Sequence, residues 1–205
     1  DDPFIGYKEN LDLKPERIRT MELVWEERIS DELFGTVSLY DNEMKDLIDQ
    51  TVDPSDSLWQ YRNVSRAKAR GLELELNAKL KMSLGGYVSY TYPRAEDPNL
   101  KQKLTNSPSH VFKLGFSYPV KKLFYASTQL LYETERITVY GTKTKPYLLT
   151  DLNLVTKPLL GHLKLSFLVK NLFDVEYSTP GGFEHVQDAI IQDGRTFITK
   201  LEYRL

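Results

Sequence analysis

The sequence has no cysteine, which removes disulfide frameworks, thiolate zinc sites and cysteine nucleophiles. No stretch approaches the roughly 20 consecutive apolar residues that a membrane helix needs. Neither charge is in large excess: 27 Lys and Arg stand against 29 Asp and Glu. Net charge therefore draws neither nucleic acid nor an anionic surface, and no nucleic-acid partner is expected. Histidine is scarce. His110, His162 and His185 are scattered with no i, i+4 partner, so no metal site and no cofactor are expected. No serine sits in a GxSxG context and no glycine-rich phosphate loop exists. No catalytic residue is assigned, and the chain is not read as an enzyme. Asp1-Asp2-Pro3-Phe4 lacks the basic head, apolar core and cleavage site of a signal peptide. The expectation is a mature chain or a fragment.

What is present is alternation. Leu72-Glu73-Leu74-Glu75-Leu76-Asn77-Ala78-Lys79-Leu80 keeps period two throughout. A helix would scatter those leucines round its axis, whereas a strand puts them on one face. Leu163–Phe167 repeats the pattern, as does Phe197–Leu205 with Ile198 as its exception. Weaker versions predict about nine strands, near 17–29, 34–48, 62–80, 83–93, 109–118, 123–135, 147–157, 162–172 and 195–205. Several exceed the usual five or six residues of a globular strand. About ten tilted residues span an outer membrane. The intervening segments alternate tight and long: 30–32, 81–82, 119–122 and 158–161 against 49–61, 94–108, 136–146 and 173–194. Short periplasmic turns and long extracellular loops give a transmembrane barrel this rhythm. The expected fold class is all-β, an antiparallel transmembrane β-barrel portion.

Six motifs in order sharpen this. They are Asn10-Leu11-Asp12-Leu13-Lys14-Pro15-Glu16, Asp46-Leu47-Ile48, and Tyr61-Arg62-Asn63 followed by Gly71-Leu72-Glu73-Leu74-Glu75. Asn106-Ser107-Pro108-Ser109-His110, Asn171-Leu172-Phe173-Asp174-Val175-Glu176-Tyr177 and Gly194-Arg195 complete the set. Together they resemble the C-terminal barrel of TonB-dependent outer-membrane receptors. Leu11 stands where the family usually has proline. The alternating Phe197, Thr199, Leu201, Tyr203 and Leu205 resemble the terminal signal read by the outer-membrane assembly machinery, although that signal usually ends in Phe or Trp.

The resemblance implies residues 1–205 form about nine strands of a barrel expected to have 22. The plug domain, the TonB-binding segment and the N-terminal strands are expected to lie outside this chain. It implies a receptor in the cell outer membrane that imports a scarce, large ligand with energy from TonB, a ferric siderophore being the first expectation. Outer-membrane lipid, TonB, the ligand and the assembly machinery are the implied partners. The loop residues Trp59, Tyr61, Phe183 and His185 are candidate ligand contacts. Asn171, Leu172, Phe173, Asp174, Tyr177, Gly194, Arg195, Phe197, Leu201, Tyr203 and Leu205 are the signature and assembly positions. Two other readings remain open: a passive porin or autotransporter-type barrel, and a soluble β-sandwich binding module.

Overall fold

A computed structural model describes residues 6–80, 83–120, 123–159 and 161–204. Its elements are β1 (Arg17–Arg28), β2 (Leu33–Val52), β3 (Trp59–Lys79), β4 (Gly85–Asp97), β5 (Gln102–Lys103), β6 (Val111–Val120), β7 (Phe124–Glu133), β8 (Tyr147–Thr156), β9 (Leu163–Lys170), β10 (Ser178–Pro180), β11 (Ala189–Ile191) and β12 (Thr196–Tyr203). The main sheet has the hydrogen-bonded order β1-β2-β3-β4-β6-β7-β8-β9-β12, with β5 added to β4, and β10 pairs β11 separately. All nine expected strands are present. Contacts divide the chain into two units: Asp1–Leu23, Leu39–Gly71 and Arg94–Leu104, and Val24–Ser38, Leu72–Pro93 and Thr105–Leu205.

In the second unit the register turns strand-level alternation into a sheet-level face. Phe112, Leu114, Phe116 and Tyr118 lie opposite Tyr132, Leu130, Thr128 and Ala126. Those four lie opposite Leu148, Thr150, Leu152 and Leu154. Leu152 and Leu154 meet Val169 and Phe167. Phe167 and Leu165 meet Thr199 and Leu201, while Val88 and Tyr90 meet Leu114 and Phe112. Paired residues share a face, so one apolar surface crosses six strands. The reverse face carries rows such as Gly115, Gln129 and Asp151, or Ser117, Ser127 and Asn153. Ile198, the exception in its strand, pairs with Leu168 on that polar side.

The apolar face is open. Leu114 is 39% exposed, Phe167 41% and Leu201 64%, and the buried apolar residues among those described are only Ala67, Ala126, Tyr147 and Val169. A soluble sandwich buries its inner rows between two sheets, so the sandwich reading fails. Among the described residues no helix is long and apolar enough to cross a membrane.

Several boundaries differ from expectation. The loop expected over 49–61 shrinks to 53–58, because Asp53 builds a tight turn there. Its Oδ1 accepts from Ser55 N at 2.9 Å and Ser55 Oγ at 2.8 Å, and its carbonyl accepts from Ser57 N at 2.8 Å. Side-chain turns of this kind replace backbone loops. The loop expected over 94–108 contains the end of β4 and β5, paired through Glu96–Lys103. The 173–194 loop contains β10 and β11. Pro119, expected in a turn, pairs with Tyr125 at the end of β6, where a missing N–H is tolerated. Ser83 has φ +62°, which ends extended structure and delays β4 to Gly85. The turn residues Lys81, Met82, Lys121, Lys122 and Leu160, and the terminal Leu205, lie outside the described residues.

Candidate functional site

The motifs act as struts between neighbouring connections. Asn171 ends β9 in the left-handed region, φ +48°, which asparagine tolerates. Its amide grips the next turn: Nδ2 donates to Val175 O at 2.9 Å and Val175 N donates to Oδ1 at 2.8 Å. Its own N–H donates to Asp151 Oδ1 at 2.9 Å, and Leu172 N donates to Thr150 O at 2.7 Å. Asp174 then reaches the start of the last strand, where Arg195 N donates to its Oδ1 at 2.7 Å. Gly194 makes room, since a Cβ there would stand 2.7 Å from that oxygen. The two signature segments form one joint. Phe173 is 70% exposed and takes no part in it. Phe197 stacks on Phe167 at 6.2 Å, and Leu201 and Tyr203 are exposed on the apolar face.

A polar knot joins further segments of the same unit. Glu133 accepts from Tyr147 Oη at 2.8 Å and from Arg136 Nη2. Arg136 Nη1 donates to Asn106 Oδ1 at 3.0 Å. Tyr177 packs on Tyr147 at 4.7 Å. Thr134 Oγ1 accepts from Ser109 N and His110 N at 2.9 and 3.1 Å. His110 Nδ1 bonds Tyr90 Oη at 2.8 Å. Sequence reasoning missed Glu133, Arg136 and Tyr147. Each is an unremarkable strand-end residue until the register of β7 on β8 brings Glu133 opposite Tyr147.

In the first unit, Asn63 brackets Lys14, accepting from Lys14 N and donating to Lys14 O, both at 2.8 Å. It also donates to Asp46 O at 2.6 Å. Asn10 Nδ2 donates to Tyr61 O at 2.8 Å, and Glu16 Oε1 accepts from Ile48 N at 2.8 Å. Three of the six motifs thus meet. Trp59 is held by its backbone, with N donating to Gly6 O at 2.7 Å and O accepting from Lys8 N at 2.9 Å. Trp59 and Tyr61 share one face of β3 and are 43% and 51% exposed. Gln60 and Arg62, bonded to each other at 2.8 Å, occupy the other. At the hairpin tip Lys8 and Arg62 each reach Asp53 Oδ2 at 2.5 Å. Lys8, with help from Ser55 and Arg62, holds the Asp53 carboxyl far below the usual carboxylate range.

Phe183 and His185 sit at the tip of the β10–β11 hairpin. His185 N donates to Gly182 O at 3.1 Å, and Gly182 N donates to His185 Nδ1 at 3.2 Å, so the tip is a closed turn. Phe183 is 85% exposed and Val186 94%. Asp188, at the base, accepts from Thr142 Oγ1, which ties the hairpin to the β7–β8 connection. Thr142 and Thr138 hold the Asp188 carboxyl below its ordinary range. Trp59 and Tyr61 belong to one unit and Phe183 and His185 to the other; the structure forms each pair separately. The polar face of the second unit carries a concavity of about 650 Å³ lined by Tyr87, Gly115, Gln129, Asp151, Asn153 and Lys170, among others. Tyr87 lies flat over Gly115, where a Cβ would stand 2.2 Å from its ring. These groups bind and position. Among the described residues no cluster of three or more acidic or histidine side chains is placed to hold a metal ion.

The family profile described as "TonB dependent receptor-like, beta-barrel" matches residues 2–172. The chain belongs to this family. The ferric-pyoverdine BN7/BN8 receptor of Pseudomonas putida is 27% identical over 134 residues, which is 62% of this chain but 16% of that receptor. The chain thus spans a small part of that curated relative. Solved TonB-dependent structures share its fold. The outer membrane transporter YddB from Escherichia coli superposes with TM-score 0.76 at 14% identity, covering 97% of this chain and 34% of that one. The copper transporter OprC gives TM-score 0.75 at 21% identity, with 94% and 32% coverage. The ferripyoverdine receptor of Pseudomonas aeruginosa gives 0.73 at 19%, with 93% and 27%. The family and these neighbours are receptors and transporters.

Proposed function

We propose that this chain supplies wall strands and outer loops of an outer-membrane receptor that imports a ferric siderophore with energy from TonB. The plug and the TonB-binding segment belong, on this reading, to other parts of the protein. The observation that carries it is the two-faced sheet: an exposed apolar surface across six strands, backed by a polar concave one, in a chain of the TonB-dependent receptor family. Lipid suits the first face and a wetted lumen the second. The siderophore assignment is supported by the pyoverdine receptor among the relatives. Trp59, Tyr61, Phe183 and His185 are the proposed ligand contacts, being exposed side chains on backbone that is tightly bonded. The Phe197–Tyr203 face is proposed to serve assembly as well as lipid contact.

Iron uptake from defined ferric siderophores, in a deletion strain complemented with the full-length gene, tests this. Uptake of at least one siderophore should depend on both the gene and TonB. Identical uptake with and without the gene on every source would remove the siderophore reading. TonB-independent passage of small solutes would favour a porin.

A further inference from the structure

The first unit carries a second feature that ligand import does not use. Tyr40 lies over Gly71, where a Cβ would meet its ring at 2.4 Å. Their chain neighbours Asp41 and Arg70 therefore occupy the opposite face of the β2–β3 ribbon, paired at 2.8 Å. At the tip Asp53 N donates to Leu58 O at 2.8 Å, which fits the same antiparallel register. Stepped through that register, Glu43 faces Lys68 and Lys45 faces Arg66. On β1 the same side carries Arg19, whose Nη2 is 3.5 Å from Met21 Sδ. Met21, Leu23 and Leu39, at 57%, 67% and 49% exposure, continue β1 and β2 as apolar rows directly beyond the charges.

The charges do not balance. Asp41 takes Arg70 and, at 3.8 Å, Lys68, while Glu43 takes Lys45 at 3.1 Å. Arg19 and Arg66 have no carboxylate partner among the described residues. Glu43 lies in the field of Arg19, Lys45 and Lys68 together. Like charges facing each other across strands, as Lys45 and Arg66 do, are unfavourable unless an anion lies between them. Cations beside a membrane-embedded apolar band attract anionic headgroups, and arginine matches phosphate with two parallel donors.

We propose that Arg19, Lys45, Arg66 and Lys68 form an outward-facing site for the phosphate groups of an outer-leaflet glycolipid. The acyl chains of that lipid lie along Met21, Leu23 and Leu39. This rests on the outer-membrane reading, with the long β2–β3 hairpin on the outer side. A free phosphate would gain nothing from the apolar rows, whereas an amphiphile is held by both.

The full-length protein in phosphatidylcholine nanodiscs, with lipid A, with dephosphorylated lipid A, or with inorganic phosphate alone, provides the test, read as retained lipid by native mass spectrometry. Lipid A should be retained, and its dephosphorylated form should not. Arg66→Gln with Lys68→Gln should weaken retention about fivefold per charge, while Arg66→Lys retains most of it. Heat-modifiable migration of each variant controls for folding. Equal retention of both lipid A forms, or no loss in the correctly folded double variant, overturns the site. Displacement of lipid A by millimolar inorganic phosphate overturns the lipid as occupant. Failure of the wild type to enter nanodiscs rejects the membrane reading itself.

Discussion

Asp174 shows how a signature residue works. Its carboxylate bonds Arg195 N at 2.7 Å, and the hydrogen of Gly194 faces the same oxygen. Asp174→Ala should lower stability by about 1 kcal/mol, the ordinary net value of a hydrogen bond. Gly194→Ala should be damaging in the wild type and much milder once Asp174 is Ala, because the clash partner is gone. Urea unfolding midpoints of the four proteins refolded into liposomes measure this coupling, and additive losses would show that the two residues act separately. Asp53 gives a pH-dependent case. Its folded pKa is depressed, so its contribution is fully present above the unfolded value of about 3.9. It is lost as pH falls through the folded value. Amide exchange at Ser57 and Leu58 should stay slow at neutral pH and accelerate well into the acid range, and Asp53→Asn should remove that dependence. Of these residue roles, the sequence made Asn171 and Asp174 visible as motif members but not as a joint. Their partners lie four and 21 residues away across a turn, a distance that only folding closes.

At the scale of the strand, alternation was legible wherever one face is greasy. The run 72–80, and those beginning at Phe112, Leu163 and Phe197, are all strands. The misjudged parts lie at the ends: β2 reaches Val52 and β3 begins at Trp59. Beyond the apolar band both faces are polar, and period two has no contrast to display. The asymmetry of the two faces is testable in β6. Leu114, between Val88 and Leu130, should resist charge: Leu114→Arg should cost about 2–4 kcal/mol if it lies near the bilayer centre. Ser117→Arg, on the polar face, should cost far less. Unfolding from liposomes compares the two, and equal penalties would contradict the assignment of faces. Tyr87 over Gly115 and Tyr40 over Gly71 mark where an aromatic ring fills the gap left by a strand glycine. The sequence shows those glycines without showing what covers them.

For the molecule as a whole, nearly balanced charge concealed a local imbalance. The total argues against any anionic surface, yet β1, β2 and β3 collect cations on one side, because every second residue of a strand faces the same way. Composition sums over faces that the fold separates. The candidate ligand contacts were legible only as aromatics in long segments, and their rigid settings came from backbone bonds no pattern reveals. The joint at Asp174 has a consequence in time. A carboxylate that waits for an amide 21 residues downstream stays unmatched until the final strand arrives. Locking of the penultimate connection and docking of the terminal strand then become a single event, a latch that closes last and leaves any copy halted before Arg195 recognisably open.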